Sequence, residues 1–369
     1  MSRPRRRYRI TANLFGIPLG LCGLAQCWTT GANLDVTPLW LADLLWAMAA
    51  VAWVVIGLAY VGRYHRPADL ARELADPKFG PFISVAAIVP MLLGAALARH
   101  ACTAGHVLFW TALVVTVLLG GWLIGQWIVS PPALSQWHPG YFLPTVGGGL
   151  IGAVVAIGIG ERSLGRLLFG YGVVSWVVLA PIVRLRLFTP PALPVPLRST
   201  LAIELAPPVI AGIAWFELNG GQLDVISFFL AGYAFLMLIV QVRLVPLCRR
   251  IPFGPAWWAF SFPYAAAAGY ALRWLGAEHV AGLAAWTWLL LIITTGAAAV
   301  LVIRSAAALV GRRFLPTSAE PQPSRDSGAD RQPTSALGEF DLPTGYRHRS
   351  VPVGDGVLAV DRLTSAHHS

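Results

Sequence analysis

From residue 11 to residue 310 the chain alternates long apolar stretches with short polar or basic breaks. Ten stretches stand out, at 11–29, 39–63, 80–98, 106–129, 139–159, 167–187, 199–217, 223–246, 255–275 and 280–310. An α-helix needs about 20 predominantly apolar residues to cross a hydrocarbon core, and each stretch is of that order. No break between them is long enough to hold a soluble domain. Every second stretch carries a proline near its middle: Pro18, Pro90, Pro144, Pro208 and Pro263. Glycine or alanine follows within a turn or two, in PLGLCG, PMLLGAA, PTVGGG, PVIAG and PYAAAAG. A proline inside a helix removes one backbone hydrogen bond and bends the helix. Lipid supplies no water to that gap, so the segment belongs where protein or a cavity covers it. The pattern therefore predicts an all-α integral membrane fold of ten transmembrane helices arranged as five helical hairpins. The odd helices are proline-kinked and form an inner ring; the even ones lie outside. The prolines are unevenly spaced, so the repeat is structural and has no sequence period.

Composition agrees with this reading. The 369 residues are 56% hydrophobic and only 12% charged, about half the charged fraction of a soluble domain. A formal net charge of +10 raises the alternative of a nucleic-acid footprint, but the distribution of that charge argues against one. With both termini on one side, that side carries 18 Lys and Arg residues outside the far tail, among them Arg5, Lys78, Arg184, Arg249 and Arg313. The other side carries four: Arg99, Arg162, Arg166 and Arg273. Such a bias sets orientation by the positive-inside rule, which predicts cytoplasmic termini and a plasma-membrane location, the inner membrane in a bacterium. Membrane lipid, not nucleic acid, is the expected surrounding partner.

The chain then divides into a basic cytoplasmic N-terminus (1–10), a ten-helix membrane domain (11–310) and a cytoplasmic tail (311–369). The start imitates a signal peptide but lacks a small-residue cleavage site, and is read as leading into the first span. The tail is rich in Pro, Ser, Thr, Gly and Asp, and is expected to be disordered. Cys22 and Cys27 read as small apolar fillers. The tryptophans at span ends, including Trp28, Trp137, Trp257, Trp258 and Trp274, read as an interfacial belt. There is no HExxH, nucleophile elbow, Walker loop or pair of intramembrane carboxylates. The histidines are scattered at span ends and in loops. No catalysis, metal or cofactor is expected.

A path through the ring is the better supported idea. The residues before the five prolines are Ile17, Val89, Leu143, Pro207 and Phe262, all apolar. If the inner helices share an axis, they form a constriction of the kind that closes a pore by dewetting. Phe262 is the largest of them and the natural plug; otherwise it is an aromatic packed between helices. Carbonyls freed one turn before each proline, near Leu14, Ala86, Gly140, Glu204 and Ala259, are expected to be satisfied by neighbouring helices or water. Glu204 is the one acid well inside a span. It either couples proton movement to transport or faces a neighbouring helix, paired with an Arg such as Arg198. Gln126, Gln241 and Asn13 read as interhelical polar ties.

The stretches NLFGIPLGLCGLA, HPGYFLPTVGGGLIGA, LAIELAPPVIAG and PFGPAWWAFSFPYAAAA together resemble the tellurite-resistance/dicarboxylate transporter family. That family includes TehA proteins, malic-acid transport proteins and the slow, voltage-dependent anion channels of plant guard cells. The resemblance covers about residues 10–310 and implies ten helices as five hairpins, a central pore in each protomer and a homotrimer. It further implies that a phenylalanine of the ninth helix occludes the pore. Phe262 in AWWAFSFP matches it, with Phe260 the alternative if the register slips by two. The small anions implied are chloride, nitrate, malate-like dicarboxylates or tellurite-related oxyanions. Glu204 and the Pro207–Pro208 pair depart from a plain conducting pore. Three readings follow: a phenylalanine-gated anion channel, a proton-coupled dicarboxylate or oxyanion transporter using Glu204, and a membrane receptor or scaffold signalling through the tail.

Overall fold

The computed structural model describes residues 10–63 and 67–315. The expectations for the basic start and for the tail beyond residue 315 lie outside the described residues. Those residues form eleven α-helices and short 3-10 segments, with no strand among them. In chain order the helices are α1 (Gly16–Asn33), α2 (Leu39–Val61), α3 (Pro67–Leu74), α4 (Gly80–Ala98), α5 (Cys102–Val129), α6 (Gly148–Gly158), α7 (Arg162–Phe188), α8 (Ala206–Leu218), α9 (Val225–Cys248), α10 (Ser261–Ala277) and α11 (Leu283–Val310).

Among the described residues, eight helical segments are long and apolar enough to cross a membrane: Leu39–Val61, Gly80–Ala98, Cys102–Val129, Pro139–Gly158, Arg162–Phe188, Val195–Leu218, Val225–Cys248 and Leu283–Val310. They fall into two groups by burial. In Gly80–Ala98, Pro139–Gly158 and Val195–Leu218, 72–83% of the most apolar window is buried; in the other five the share is 11–33%. The poorly buried helices are apolar all round and expose residues such as Val51, Leu118, Phe229 and Ile303. Water does not stabilise so large an apolar surface, whereas lipid does.

The buried elements close on one another. Helix α1 packs on α4, α4 on α6, α6 on α8, α8 on α10, and α10 back on α1. Each also packs on the helix that follows it outside the ring: α1 on α2, α4 on α5, α6 on α7, α8 on α9 and α10 on α11.

The prolines do something other than bend continuous α-helices. Of the five, only Pro90 lies in the interior of one, beyond the first turn. Pro18, Pro208 and Pro263 are each the third residue of α1, α8 and α10, directly after 3-10 segments at Ala12–Phe15, Val195–Leu205 and Pro255–Phe260. Pro144 sits in a π-type turn (Leu143–Gly147) between the 3-10 segment Pro139–Phe142 and α6. A first-turn proline forfeits a donor that had no intrahelical partner, so it starts an α-helix at little cost. Four inner segments are thus composite, a 3-10 lead followed by an α-helix.

The carbonyl left open by Pro90 is satisfied from outside the ring: Ala86 O accepts Trp53 Nε1 of α2 at 2.9 Å. Gly140 O accepts the Leu143 N–H. Other polar groups act as interhelical ties. Trp258 Nε1 donates to Ser305 Oγ of α11 at 3.0 Å, and Trp28 Nε1 to Thr295 Oγ1 at 3.0 Å. Both indoles are buried, so they anchor outer helix α11 to the ring and do not belong to an interfacial belt. Gln241 donates to Leu201 O at 2.9 Å and accepts from Tyr264 at 3.3 Å, a tie of the expected kind. The first residues counted with the tail fold back, with Phe314 buried against Phe253.

Candidate functional site

Two cavities line the inside of the ring. The larger, about 460 Å³, takes wall residues from all five inner segments, including Asn13, Val85, Val146, Ile203 and Ala259. The smaller, about 260 Å³, does so about two to three turns further along, with Cys22, Leu92, Val154, Ile213 and Ala265. Three residues belong to both walls: Ile151 of α6, Ile210 of α8 and Phe262 of α10. The two cavities adjoin at this apolar layer, the septum.

Local packing sets the position of Phe262. Helices α1 and α10 cross where α1 carries glycine. A methyl at Gly20 would fall 1.9 Å from Ser261 Oγ, and one at Gly23 would fall 3.0 Å from the Phe262 ring. The absence of side chains there allows the close approach and leaves a recess for the ring.

The other sequence-predicted residues separate. Leu143, Pro207 and Pro263 line the larger cavity. Ile17, Val89, Pro18, Pro90, Pro144 and Pro208 line neither, and Val89 is wholly buried. The residues before the prolines therefore do not make a single layer. An α-helix turns about 100° per residue, and the 3-10 leads and π-type turn give the inner segments different phases at the proline. The facing residue follows each helix's own phase: Ile88 on α4, and Ile151 and Ile210 on α6 and α8. The last two were missed. Extending the inner face by helical steps, from Pro207 to Ile210 for example, is the signal that finds them. Phe260, the alternative plug, stacks on Tyr264 with centroids 6.4 Å apart and lines neither cavity.

Glu204 also lines neither cavity. It is buried, and its Oε2 lies 3.4 Å from Arg184 Nη2 of α7. Arg184 in turn lies over the Tyr233 ring of α9 at 5.4 Å. The partner is thus Arg184 and not Arg198, which bonds Leu193 O at 3.1 Å. Asn13 is no tie: it faces the larger cavity, and its buried Oδ1 has no hydrogen-bond partner among the described residues. Besides Asn13, the polar wall residues of the larger cavity are Thr11, Lys78, Ser199, Thr200 and Arg313; those of the smaller are Gln26, Thr29, Asn33, Arg99, Glu217 and Arg273. No group of three or more His, Cys, Asp or Glu side chains converges among the described residues.

A closed ring of buried helices, wrapped in helices apolar on every side and hollow along its interior, defines a multi-pass helical membrane protein. The chain belongs to the voltage-dependent anion channel family, whose model matches residues 9–306. It is 30% identical over 277 residues to the tellurite resistance protein TehA homolog of Haemophilus influenzae, covering 72% of this chain and 81% of that one. It is 26% identical over 293 residues to the guard cell S-type anion channel SLAC1 of Arabidopsis thaliana, covering 74% of this chain and 51% of that one. With the Arabidopsis S-type anion channel SLAH3 it shares 26% over 284 residues, 73% of this chain and 43% of that one. The chain therefore spans most of the bacterial relative and about half of the plant ones. The family is one of anion channels and transporters, not of enzymes.

Proposed function

We propose that the chain is an anion channel of a bacterial inner membrane in which Phe262 closes the path between the two cavities. The observation that carries this reading is that Phe262, with Ile151 and Ile210, belongs to the walls of both cavities in a chain of the voltage-dependent anion channel family. An apolar septum excludes a hydrated anion because nothing there replaces its water. The remaining parts of the reading follow from sequence and packing. Ten spans form five hairpins, the segments beginning at Ala12 and Pro255 being the two that complete the set. Both termini face the cytoplasm. The larger cavity opens there, since its wall includes Lys78 and Arg313 from the strongly basic side. By resemblance the protomer has its own pore and assembles as a homotrimer. Chloride and nitrate are the favoured cargo, with dicarboxylates and oxyanions the alternative. In this reading Glu204 is a structural charge held by Arg184 away from the path, which weighs against proton-coupled transport through it.

Anion flux from liposomes tests the proposal. Chloride, nitrate and malate are compared, with and without a pH gradient, for wild type, Phe262→Ala and Glu204→Gln. The expected result is passive chloride and nitrate flux, raised several-fold in Phe262→Ala and retained in Glu204→Gln. Unchanged flux in Phe262→Ala removes the gate. Uphill malate accumulation driven by the pH gradient, and lost in Glu204→Gln, replaces the channel with a coupled transporter.

A further inference from the structure

The smaller cavity contains a charged pair that the septum does not require. Arg273 lies on α10, eleven residues after Phe262. Between them Ala265, Ala266 and Gly269 line the same wall. Small side chains on successive turns thus leave an open face from the septum to the guanidinium. Arg273 is held on three sides. Its Nε donates to Glu217 Oε1 of α8 at 3.1 Å. Its Nη1 donates to Thr30 Oγ1 of α1 at 2.9 Å and to Gly269 O at 3.2 Å. An Arg fork has five N–H donors, and Nη2 has no partner among the described residues. The side chain is 9% exposed, and that of Glu217 39%.

Glu217 is in an unfavourable place for a carboxylate. It is the last residue but one of α8, where the helix dipole and the unpaired carbonyls are negative. Its only hydrogen-bond partner among the described residues is Arg273. The arrangement is a cation fixed deep in the cavity wall by neutral groups on α1 and α10, and an anion held against it by that cation alone. Arg99 lines the same cavity, but its charge is balanced by Asp43 at 2.8 Å, which leaves Arg273 as the cation bearing on the site. Gln26 and Asn33 add neutral amide donors to the wall.

We propose that Arg273 is a binding site for a small inorganic anion in the smaller cavity, and that the Glu217 carboxylate occupies that site in this structure as a tethered competitor. A permeating halide or nitrate displaces the carboxylate, which swings toward the more exposed side of the cavity, and takes its place on Nε and on the open Nη2 edge. No bond is made or broken; one anion replaces another on a fixed fork. The inference rests on the channel reading for its role in conduction, but binding itself does not depend on flux.

The test measures chloride flux against concentration in liposomes for wild type, Glu217→Gln, Arg273→Gln, Arg273→Lys and the double variant Glu217→Gln/Arg273→Gln. In parallel, bromide is located by anomalous scattering in crystals of the same full-length proteins. In Glu217→Gln the half-saturating chloride concentration falls several-fold, and a bromide peak stands beside Arg273. In Arg273→Gln the half-saturating concentration rises, the peak is absent, and adding Glu217→Gln changes nothing further. Arg273→Lys keeps the charge without the fork; it gives an intermediate value and stands in if Arg273→Gln does not fold. A Glu217→Gln protein that loses thermal stability but keeps the wild-type half-saturation and shows no bromide at Arg273 overturns the site, while wild-type flux leaves the channel reading standing. If no variant conducts, the channel reading fails and the bromide peak alone decides the site.

Discussion

Phe262 and Glu204 lie in neighbouring inner segments with opposite surroundings, and their substitutions should separate accordingly. Phe262 touches both cavities, so replacing it changes flux. Glu204 is buried against Arg184, so replacing it changes stability. The Arg184 side chain is 31% exposed, so water reaches the charge left behind and the cost is smaller than for a fully buried pair. Glu204→Gln should therefore lower the midpoint of thermal unfolding in detergent, and Glu204→Gln/Arg184→Met should recover part of the loss. A third residue acts through pH. His138, just before the Pro139–Gly158 span, is wholly buried; its Nδ1 accepts the Gly140 N–H at 3.1 Å and its ring stacks on Phe82. Burial pushes the imidazole down to about 4. In the unfolded chain it takes a proton near 6.5, so between roughly pH 6.5 and 4 acidification favours unfolding, by up to about 3 kcal/mol. Above that window the group contributes no slope. Unfolding midpoints at pH 7.5 and pH 5 should differ less in His138→Asn than in wild type; an equal difference contradicts the assignment.

At the scale of the element, the contact between α1 and α10 is set by glycines on α1. A methyl at Gly20 would lie 2.6 Å from Ser261 Cβ, and overpacking of this kind typically costs about 1–3 kcal/mol. Gly20→Ala should lower the unfolding midpoint, and Ser261→Gly in the same chain should restore part of it; no restoration would mean that the two positions do not share the crossing. The ends of the long helices were legible because a hydrophobic run interrupted by charge has few alternatives: the stretches read at 80–98 and 39–63 appear as Gly80–Ala98 and Leu39–Val61. The buried character of Gly80–Ala98, Pro139–Gly158 and Val195–Leu218 was legible from their mid-span prolines, although outer helices α7 and α9 also carry prolines, Pro181 and Pro246. How the prolines act was not. A sequence does not distinguish a 3-10 lead from the first half of an α-helix, because closure of the ring selects between them. The same gap hid Ile151 and Ile210, whose facing depends on helix phase. It also led Trp258 to be read as interfacial when it is bonded to Ser305 in the interior. The short helix α3, with Glu73 bonded to Tyr60 at 3.1 Å and paired with Arg63, is too polar to register in a hydrophobic pattern.

The whole molecule is a ring of buried segments inside apolar outer helices, with two cavities that meet at three apolar side chains. In the channel reading the septum is the barrier and the ring the passage. Electrophysiology tests that claim most directly, through single-channel recording of purified wild type and Phe262→Ala in planar bilayers under a potassium chloride gradient. The account predicts a current that reverses near the chloride equilibrium potential in both proteins, with a larger conductance or open probability in Phe262→Ala. A current that reverses near the potassium potential, or a Phe262→Ala protein that conducts no better than wild type, would contradict it.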